Sequence, residues 1–121
     1  MAAVCHAANA ATASAGKPPL RKRPLITVEQ AEQVIGLFQV LANPTRLRLL
    51  HALERGHELS VTELANAISM RPQAVSNQLQ RLRDRRIVAS RRDGNRIFYR
   101  FADPCVPSLL DLGLCLSEET R

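Results

Sequence analysis

The chain has 121 residues, with 17 lysines and arginines against 11 aspartates and glutamates, and a formal net charge of +6. This length fits one small domain, its short apolar runs exclude a membrane span of roughly 20 residues, and its three cysteines are too few for a secreted disulfide scaffold. The charge is uneven, because residues 71–101 hold nine arginines and two aspartates, a local net charge of +7. That segment indicates a polyanionic partner.

Residues 1–24 are expected to form a disordered arm, and residues 25–121 a single domain. Ala, Ser, Thr and Asn dominate the start of the arm, and three prolines near its end block a helix. The arm carries four positive charges and Cys5. No basic stretch precedes an apolar core here, so we expect no signal peptide and a cytoplasmic protein.

Capping residues delimit the first two predicted helices. Thr27 begins a capping box, and apolar residues then recur at helical spacing. Asn43 is a good N-cap, and Pro44 suits the first position of the next helix. This second helix is predicted to run to about Arg55 and to stop at Gly56.

Two further helices follow in close succession. Ser60 begins a second capping box and a short third helix. Ser69 is predicted to cap a fourth helix over about 71–86, with Pro72 in its first turn. Because only a few residues separate these helices, they are predicted to form a helix-turn-helix.

Strand periodicity replaces helical periodicity after the fourth helix. Residues 87–92 and 96–101 are predicted to be two strands, joined by a tight turn at Asp93 and Gly94. A last helix is predicted over about 103–118. The order α-α-α-α-β-β-α, with a basic hairpin after the helix-turn-helix, predicts a mainly α winged helix-turn-helix fold with a β-hairpin wing.

The fourth helix carries groups suited to reading DNA on its exposed face. A helical wheel places Val75, Leu79 and Leu82 on one face, and amides, a hydroxyl and arginine on the other. These polar groups can pair with base edges in the major groove, and arginines of the hairpin can contact phosphates. The alternative, a solvated polar face without a nucleic-acid partner, is disfavoured by the adjacent basic hairpin. The predicted DNA-binding residues are Arg71, Gln73, Ser76, Asn77, Gln80, Arg81, Arg91, Arg92 and Arg96.

Residues of about 33–101 resemble the ArsR/SmtB family of arsenic- and metal-responsive repressors of bacteria and archaea. The resemblance implies a homodimer joined through its first and last helices. It also implies binding of double-stranded operator DNA, with contacts from Ser76 and its neighbours, and release of that DNA when an inducer binds. The matching segments are 41–50 (LANPTRLRLL), 63–65 (ELA), 74–83 (AVSNQLQRLR) and 94–99 (GNRIFY).

The family places metal sites at different positions, and none has its usual ligands here. One site uses Cys-x-Cys on the third helix, where residues 60–62 read SVT. Another uses Asp-x-His near the start of the last helix, where Asp103 is kept and Cys105 replaces the histidine. At the far end, Leu116 takes a histidine position and Cys115 precedes it. Thiols therefore stand where the family pattern has imidazoles.

Cys5, Cys105 and Cys115 are the candidate metal ligands. Cys105 and Cys115 lie about 15 Å apart along one helix, so they can share an ion only across an antiparallel helix pair in a dimer. Such a site favours a thiophilic metal or metalloid ion, such as arsenite, mercury, cadmium or cuprous copper. Two alternatives are a redox switch through a disulfide between these cysteines of two subunits, and cysteines that serve only in packing.

The sequence is compared with three classes of function. The first is a repressor released by a thiophilic ion, and the second is a repressor of the same fold that responds to oxidation or to another signal. The third is an enzyme or a protein-interaction domain. We expect no enzyme, because the sequence has no nucleophile–base pair, no glycine-rich phosphate loop and no paired carboxylates in a cleft-like setting.

Overall fold

A computed structural model of the protein describes residues 16–119. Over this range it confirms the predicted fold class, with five α-helices, a hairpin and one additional short strand. One 3-10 turn, Leu20–Lys22, lies in the described part of the arm, whereas Cys5 lies outside the described residues. The elements are α1 (Val28–Leu41), α2 (Pro44–Gly56), β1 (Leu59–Ser60), α3 (Val61–Ile68), α4 (Pro72–Asp84), β2 (Val88–Asp93), β3 (Arg96–Phe101) and α5 (Cys105–Glu119).

Both predicted capping boxes are confirmed. At the start of α1, the Thr27 hydroxyl accepts from the Gln30 backbone N–H at 3.0 Å, and the Gln30 side chain accepts from the Thr27 N–H at 2.9 Å. Ser60 and Glu63 make the same pair of hydrogen bonds at the start of α3. These contacts satisfy N–H groups that have no partner within the helix, so both helices begin where the sequence pattern predicts.

The prediction that Ser69 caps the fourth helix is wrong. Ser69 ends α3 instead: it adopts the left-handed conformation, with φ 58°, and its N–H bonds back to carbonyls of α3. Arg71 occupies the N-cap position of α4 and makes no capping bond with its side chain. Serine can occupy either end of a helix. In a short connection the path of the chain therefore determines whether Ser69 ends α3 or begins α4.

The second helix also ends differently from the prediction. Gly56 is its last residue, and His57 takes the positive φ of 66° that follows. A Cβ on Gly56 would come within 2.7 Å of the Leu59 side chain. The glycine is therefore needed for the close approach of α2 to β1, and not as the helix stop.

The sheet is antiparallel, with β3 in the centre and the order β1-β3-β2. Asp93 pairs with Arg96, so the turn consists of Gly94 and Asn95, one residue later than predicted. Gly94 has the positive φ, at 64°, that a tight hairpin turn requires. The additional strand β1 pairs with Phe98 and Tyr99. Two residues are too few to produce a strand periodicity, so this strand was not predicted.

The core lies between α2, α3, α4 and the sheet. Its fully buried members include Val75, Leu79 and Leu82, the predicted inner face of α4. In α2 the buried residues are Leu49, Leu50 and Leu53, and Leu47 packs against them partly buried. Outside this core α1 and α5 keep large apolar side chains on the surface, namely Val28, Val34, Ile35, Phe38, Leu114 and Leu116. No helix in residues 16–119 is long and apolar enough to cross a membrane.

Candidate DNA interface and cysteine site

The polar side chains predicted to read DNA lie on the outer side of α4. With the apolar face of the helix buried on α2 and α3, Gln73, Asn77 and Gln80 are exposed, and Ser76 is half-buried. The Gln73 side-chain amide donates to Asn77 Oδ1 at 3.2 Å, which orients both amides on one surface. Arg71 and Arg81 are exposed on the same helix and its N-cap. The structure thus brings the six predicted residues of this region together on one element.

The wing arginine Arg91 is held by the body of the domain. Its guanidinium donates two hydrogen bonds to the Glu58 carboxylate, at 2.8 and 2.9 Å. It also lies over the Phe98 ring, 4.7 Å from the centroid. Because Glu58 immediately precedes β1, this pair joins β2 to β1 across β3. Sequence reasoning missed Glu58, since 33 residues separate it from Arg91.

The other two wing arginines differ from each other. Arg96 donates to the Ser60 hydroxyl at 3.1 Å, lies 3.9 Å from the Glu63 carboxylate and stacks on Phe98 from 4.9 Å. Arg92 is exposed, and within the described range it makes no ion pair with a carboxylate. The three arginines were predicted to act alike, yet of these three Arg92 alone has no carboxylate partner among residues 16–119.

The Glu58–Arg91 pair leads to a prediction for acid stability. The hydrogen bond from Arg91 lowers the pKa of Glu58 below its ordinary value of 4.5. A carboxylate with a lowered pKa stabilises the fold above its unfolded pKa, and this contribution disappears as the pH falls through the lowered value. Glu58→Gln should therefore lower the thermal unfolding midpoint slightly at pH 7 and not at all at acidic pH.

Unfolding midpoints of the wild type and the variant, recorded from pH 7 downward, test this. Glu54→Gln is a matched control, because Glu54 is an exposed carboxylate of α2 that makes no hydrogen bond to the described wing residues. A difference between wild type and Glu58→Gln that persists unchanged into strong acid would show that the carboxylate charge is not the cause.

A hydrogen bond that the sequence did not reveal joins α2 to α4. Arg46 Nε donates to Gln78 Oε1 at 2.7 Å, across 32 residues of sequence. Arg46 Nη1 also donates to the Val40 carbonyl of α1 at 2.9 Å. Both Arg46 and Gln78 are half-buried, so these bonds are shielded from water. One side chain thereby contacts two neighbouring helices.

The described cysteines lie on α5. Cys105 is its first residue, and its backbone N–H donates to the Asp103 carboxylate at 2.8 Å. That carboxylate raises the pKa of the Cys105 thiol, chiefly by a hydrogen bond, so the thiol is protonated at neutral pH. Cys115 is half-buried and takes part in a disulfide, with its Sγ 3.3 Å from Glu119 Oε2. Over residues 16–119 of one protomer, no three His, Cys, Asp or Glu side chains group closely enough to hold a metal ion.

Comparison with known proteins supports a regulator of transcription. A helix-turn-helix domain model matches residues 41–91. A transcriptional repressor SmtB homolog of Synechocystis is 44% identical over 85 residues, which are 70% of this chain and 64% of that protein. The chain thus spans just under two thirds of the length of this relative.

Two solved structures match over most of both chains. The crystal structure of the AntR antimony-specific transcriptional repressor is 62% identical, with a TM-score of 0.76, covering 86% of this chain and 94% of that one. The solution structure of a homodimeric winged helix-turn-helix domain from Mycobacterium bovis, described as a possible ArsR-family regulator, is 32% identical with a TM-score of 0.69. That match covers 80% of this chain and 89% of the other.

Proposed function

This chain belongs to the ArsR/SmtB family of metal-responsive winged helix-turn-helix repressors, and from that premise we propose how it works. It binds an operator as a homodimer through α4 and the wing, and it releases the operator when cysteines at the dimer interface bind a thiophilic ion. Trivalent antimony, or the chemically similar arsenite, is the ion we favour. It acts as a regulator and not as an enzyme.

The observation that carries the DNA-binding part is the outer face of α4. Between Gln73 and Arg83 this helix has no acidic residue, and its exposed amides suit adenine edges while arginine suits guanine. The helix is also rigidly mounted, because Val75, Leu79 and Leu82 are almost completely buried. A rigid helix with an acid-free polar face can enter the major groove with its side chains in register with the bases.

Two substitutions test this division of roles on DNA. Asn77→Ala should weaken binding to the operator by about 1–3 kcal/mol, because a base contact is lost, and should change binding to random duplex little. Arg92→Ala should weaken binding to the operator and to random duplex alike, because a phosphate contact is lost. It should also reduce by about 1 the slope of the logarithm of the binding constant against the logarithm of salt concentration.

Fluorescence anisotropy at several salt concentrations measures both effects. The operator is the fragment that this protein selects from a random-sequence duplex library. Arg91→Ala provides the comparison for the wing, since Arg91 is already paired with Glu58. Equal losses on operator and random duplex for both Asn77→Ala and Arg92→Ala would contradict the assignment.

The apolar surfaces of α1 and α5 support dimerisation through these helices. Phe38, on α1, is 50% exposed, and Leu114 and Leu116, on α5, are 49% and 58% exposed. An apolar groove of about 310 Å³ lies beside Phe38, lined also by Leu41, Val106 and other residues of α2 and α5. Surfaces of this kind are energetically unfavourable in water and are typical of subunit interfaces. The homodimeric state of the related structure from Mycobacterium bovis agrees with this proposal.

The cysteines supply the sensing part. Cys105 and Cys115 lie ten residues apart on α5, about 15 Å of helix rise, so neither can join the other on one ion within a protomer. If α5 packs antiparallel against the α5 of a second subunit, Cys105 of one subunit lies near Cys115 of the other subunit. Thiolate donors select soft ions, and the 62% identical repressor is antimony-specific. Binding requires the disulfide of Cys115 to be reduced, and it must displace the proton that Asp103 helps to keep on Cys105.

A second input is a disulfide between the same two cysteines of opposite subunits. Once the existing disulfide of Cys115 has been reduced, this input would use the same approach of Cys105 to Cys115 and would oxidise the two thiols to one disulfide, with two electrons passing to an external oxidant. Release by antimony under reducing conditions separates the two inputs, because a strong thiol reductant prevents the disulfide.

A further inference from the structure

Arg46 joins the last turn of α1 to the middle of α4. Its Nη1 donates to the Val40 carbonyl at 2.9 Å, and its Nε donates to Gln78 Oε1 at 2.7 Å. Its own backbone N–H is held by Asn43, the N-cap of α2, at 3.1 Å. The guanidinium is therefore fixed by two hydrogen bonds, with a separate donor for each of the two helices, while the backbone of Arg46 is held at the start of α2.

The Val40 carbonyl is a specific acceptor for this side chain. The last four carbonyls of a helix have no partner within the helix, and this end carries the negative pole of the helix dipole. In α1, the carbonyls of Phe38 and Leu41 accept from the backbone N–H groups of Ala42 and Asn43. Arg46 takes the carbonyl of Val40 between them, so a cation closes the end of α1.

A second arginine contact lies one turn earlier on α1. Arg85 directly follows α4, and its guanidinium covers Gly36, where a Cβ would come within 2.5 Å of Nη2. Gly36 and Val40 are four residues apart and share one side of α1. Ile35 and Phe38 point to another side, which is exposed. One side of α1 thus meets Arg46 of α2, which reaches the middle of α4, and Arg85, which follows the end of α4. The other side is exposed.

We propose that Arg46 is a positioning residue that ties α4 to α1, so that a displacement of α1 at the subunit interface turns the DNA-reading helix. The coupling part rests on the function proposed above. A ligand changes DNA affinity only if it favours one arrangement of the protein over another. A half-buried arginine with two directional hydrogen bonds resists partial movement, so α1 and α4 shift together or the link breaks.

The test compares variants that remove one end of the link. Gln78→Met removes the acceptor with little change in side-chain length. Arg46→Met removes the donors but keeps an apolar chain that reaches to about the position of Nε, and the double variant removes both. Arg46→Lys keeps the charge and provides partial rescue. Arg48→Met is the matched control, because Arg48 is an exposed arginine on α2 that donates to the Ile68 carbonyl of α3 and contacts neither α1 nor α4 by a hydrogen bond.

Two quantities are measured by anisotropy for each variant. The first, without inducer, is the ratio of operator affinity to random-duplex affinity. The second is the factor by which potassium antimonyl tartrate weakens the operator complex. We expect both to fall about tenfold in Arg46→Met and in Gln78→Met, with no further fall in the double variant and an unchanged affinity for random duplex. In Arg46→Lys both quantities should fall less, and in Arg48→Met both should match the wild type.

The outcomes separate this proposal from the one on which it rests. If antimony does not weaken the wild-type complex, the proposed inducer is wrong, and the ratio measured without inducer then decides the role of Arg46. Three results would each overturn the proposal. They are additive losses in the double variant, losses in Arg48→Met equal to those in Arg46→Met, and a lowered unfolding midpoint of Arg46→Met with an unchanged ratio of operator to random-duplex affinity. The last result would reduce Arg46 to a residue that only stabilises the fold.

Discussion

Trivalent antimony is expected to weaken the wild-type operator complex by about 5- to 150-fold, the usual range for coupling between two sites on a regulatory protein. In Cys105→Ser and in Cys115→Ser the same addition should leave the complex essentially intact. The reason is that a serine hydroxyl is a hard donor and does not replace a thiolate toward a soft ion. Cobalt and nickel, which prefer imidazole and oxygen donors, should have little effect on the wild type.

Anisotropy with operator DNA, under a strong thiol reductant, measures the release. Thiolate charge-transfer absorption, recorded in parallel, shows whether the ion is bound. Cys5→Ser tests whether the arm supplies a further ligand, since its loss should weaken ion binding without removing the response if two thiolates suffice. Full release in Cys105→Ser would contradict the assignment of that residue, and release by oxidant alone would favour the disulfide.

Mixed dimers give the sharpest test of a site shared between subunits. A dimer of one Cys105→Ser subunit and one Cys115→Ser subunit contains one intact pair, formed by the two cysteines that remain. Co-expression with two different tags allows this dimer to be isolated. It should bind about half as much antimony as the wild type, whereas either homodimer should bind almost none. Failure of the mixed dimer to regain any binding would exclude the antiparallel arrangement.

Phe38→Glu is expected to convert the dimer to a monomer and to lower operator affinity by roughly 100-fold or more, the scale of the gain from linking two binding modules. Phe38 is half-exposed and borders the apolar groove between α1, α2 and α5. A carboxylate there would have to be buried without a partner in the dimer, but it would remain hydrated in a monomer. The substitution therefore acts against association much more than against folding.

Sedimentation velocity gives the oligomeric state, and anisotropy gives the affinity. Gln33→Glu is the matched control, because it adds the same charge to α1 at an exposed position away from Ile35 and Phe38. Circular dichroism checks that the helices of the Phe38→Glu monomer are intact, and Ile35→Glu offers a second disruption of the same surface. A Phe38→Glu protein that stays dimeric with unchanged operator affinity would place the interface elsewhere.

Local chemistry made the helices and their order predictable from the sequence. Thr27 and Ser60 each begin a helix because their side chains bond to N–H groups only three residues away. The inner face of α4 followed from helical spacing alone, and its buried residues confirm it. The same wheel predicted the polar outer face. Features set by neighbours within one or two turns can be derived without knowledge of the rest of the fold.

Short connections were harder, because one residue type serves several purposes. Serine is a residue type that favours N-cap positions, yet Ser69 adopts the left-handed conformation that ends α3. The hairpin turn lies at Gly94 and Asn95, one residue later than predicted, because Asp93 pairs with Arg96 and so extends the strand pairing by one position. In both places the directions of the flanking elements decide, and a sequence pattern of three or four residues does not contain those directions.

The sequence by itself determined the winged helix-turn-helix fold, the acid-free face of α4 and the basic character of the wing. Only the tertiary structure decided which arginines are free to meet DNA and which hold the molecule together. Arg91 meets Glu58 across 33 residues, and Arg46 meets Gln78 across 32. Charge counting treats every arginine alike, whereas a hydrogen bond depends on where the folded chain brings its acceptor. The division between binding and positioning arginines is therefore a property of the fold.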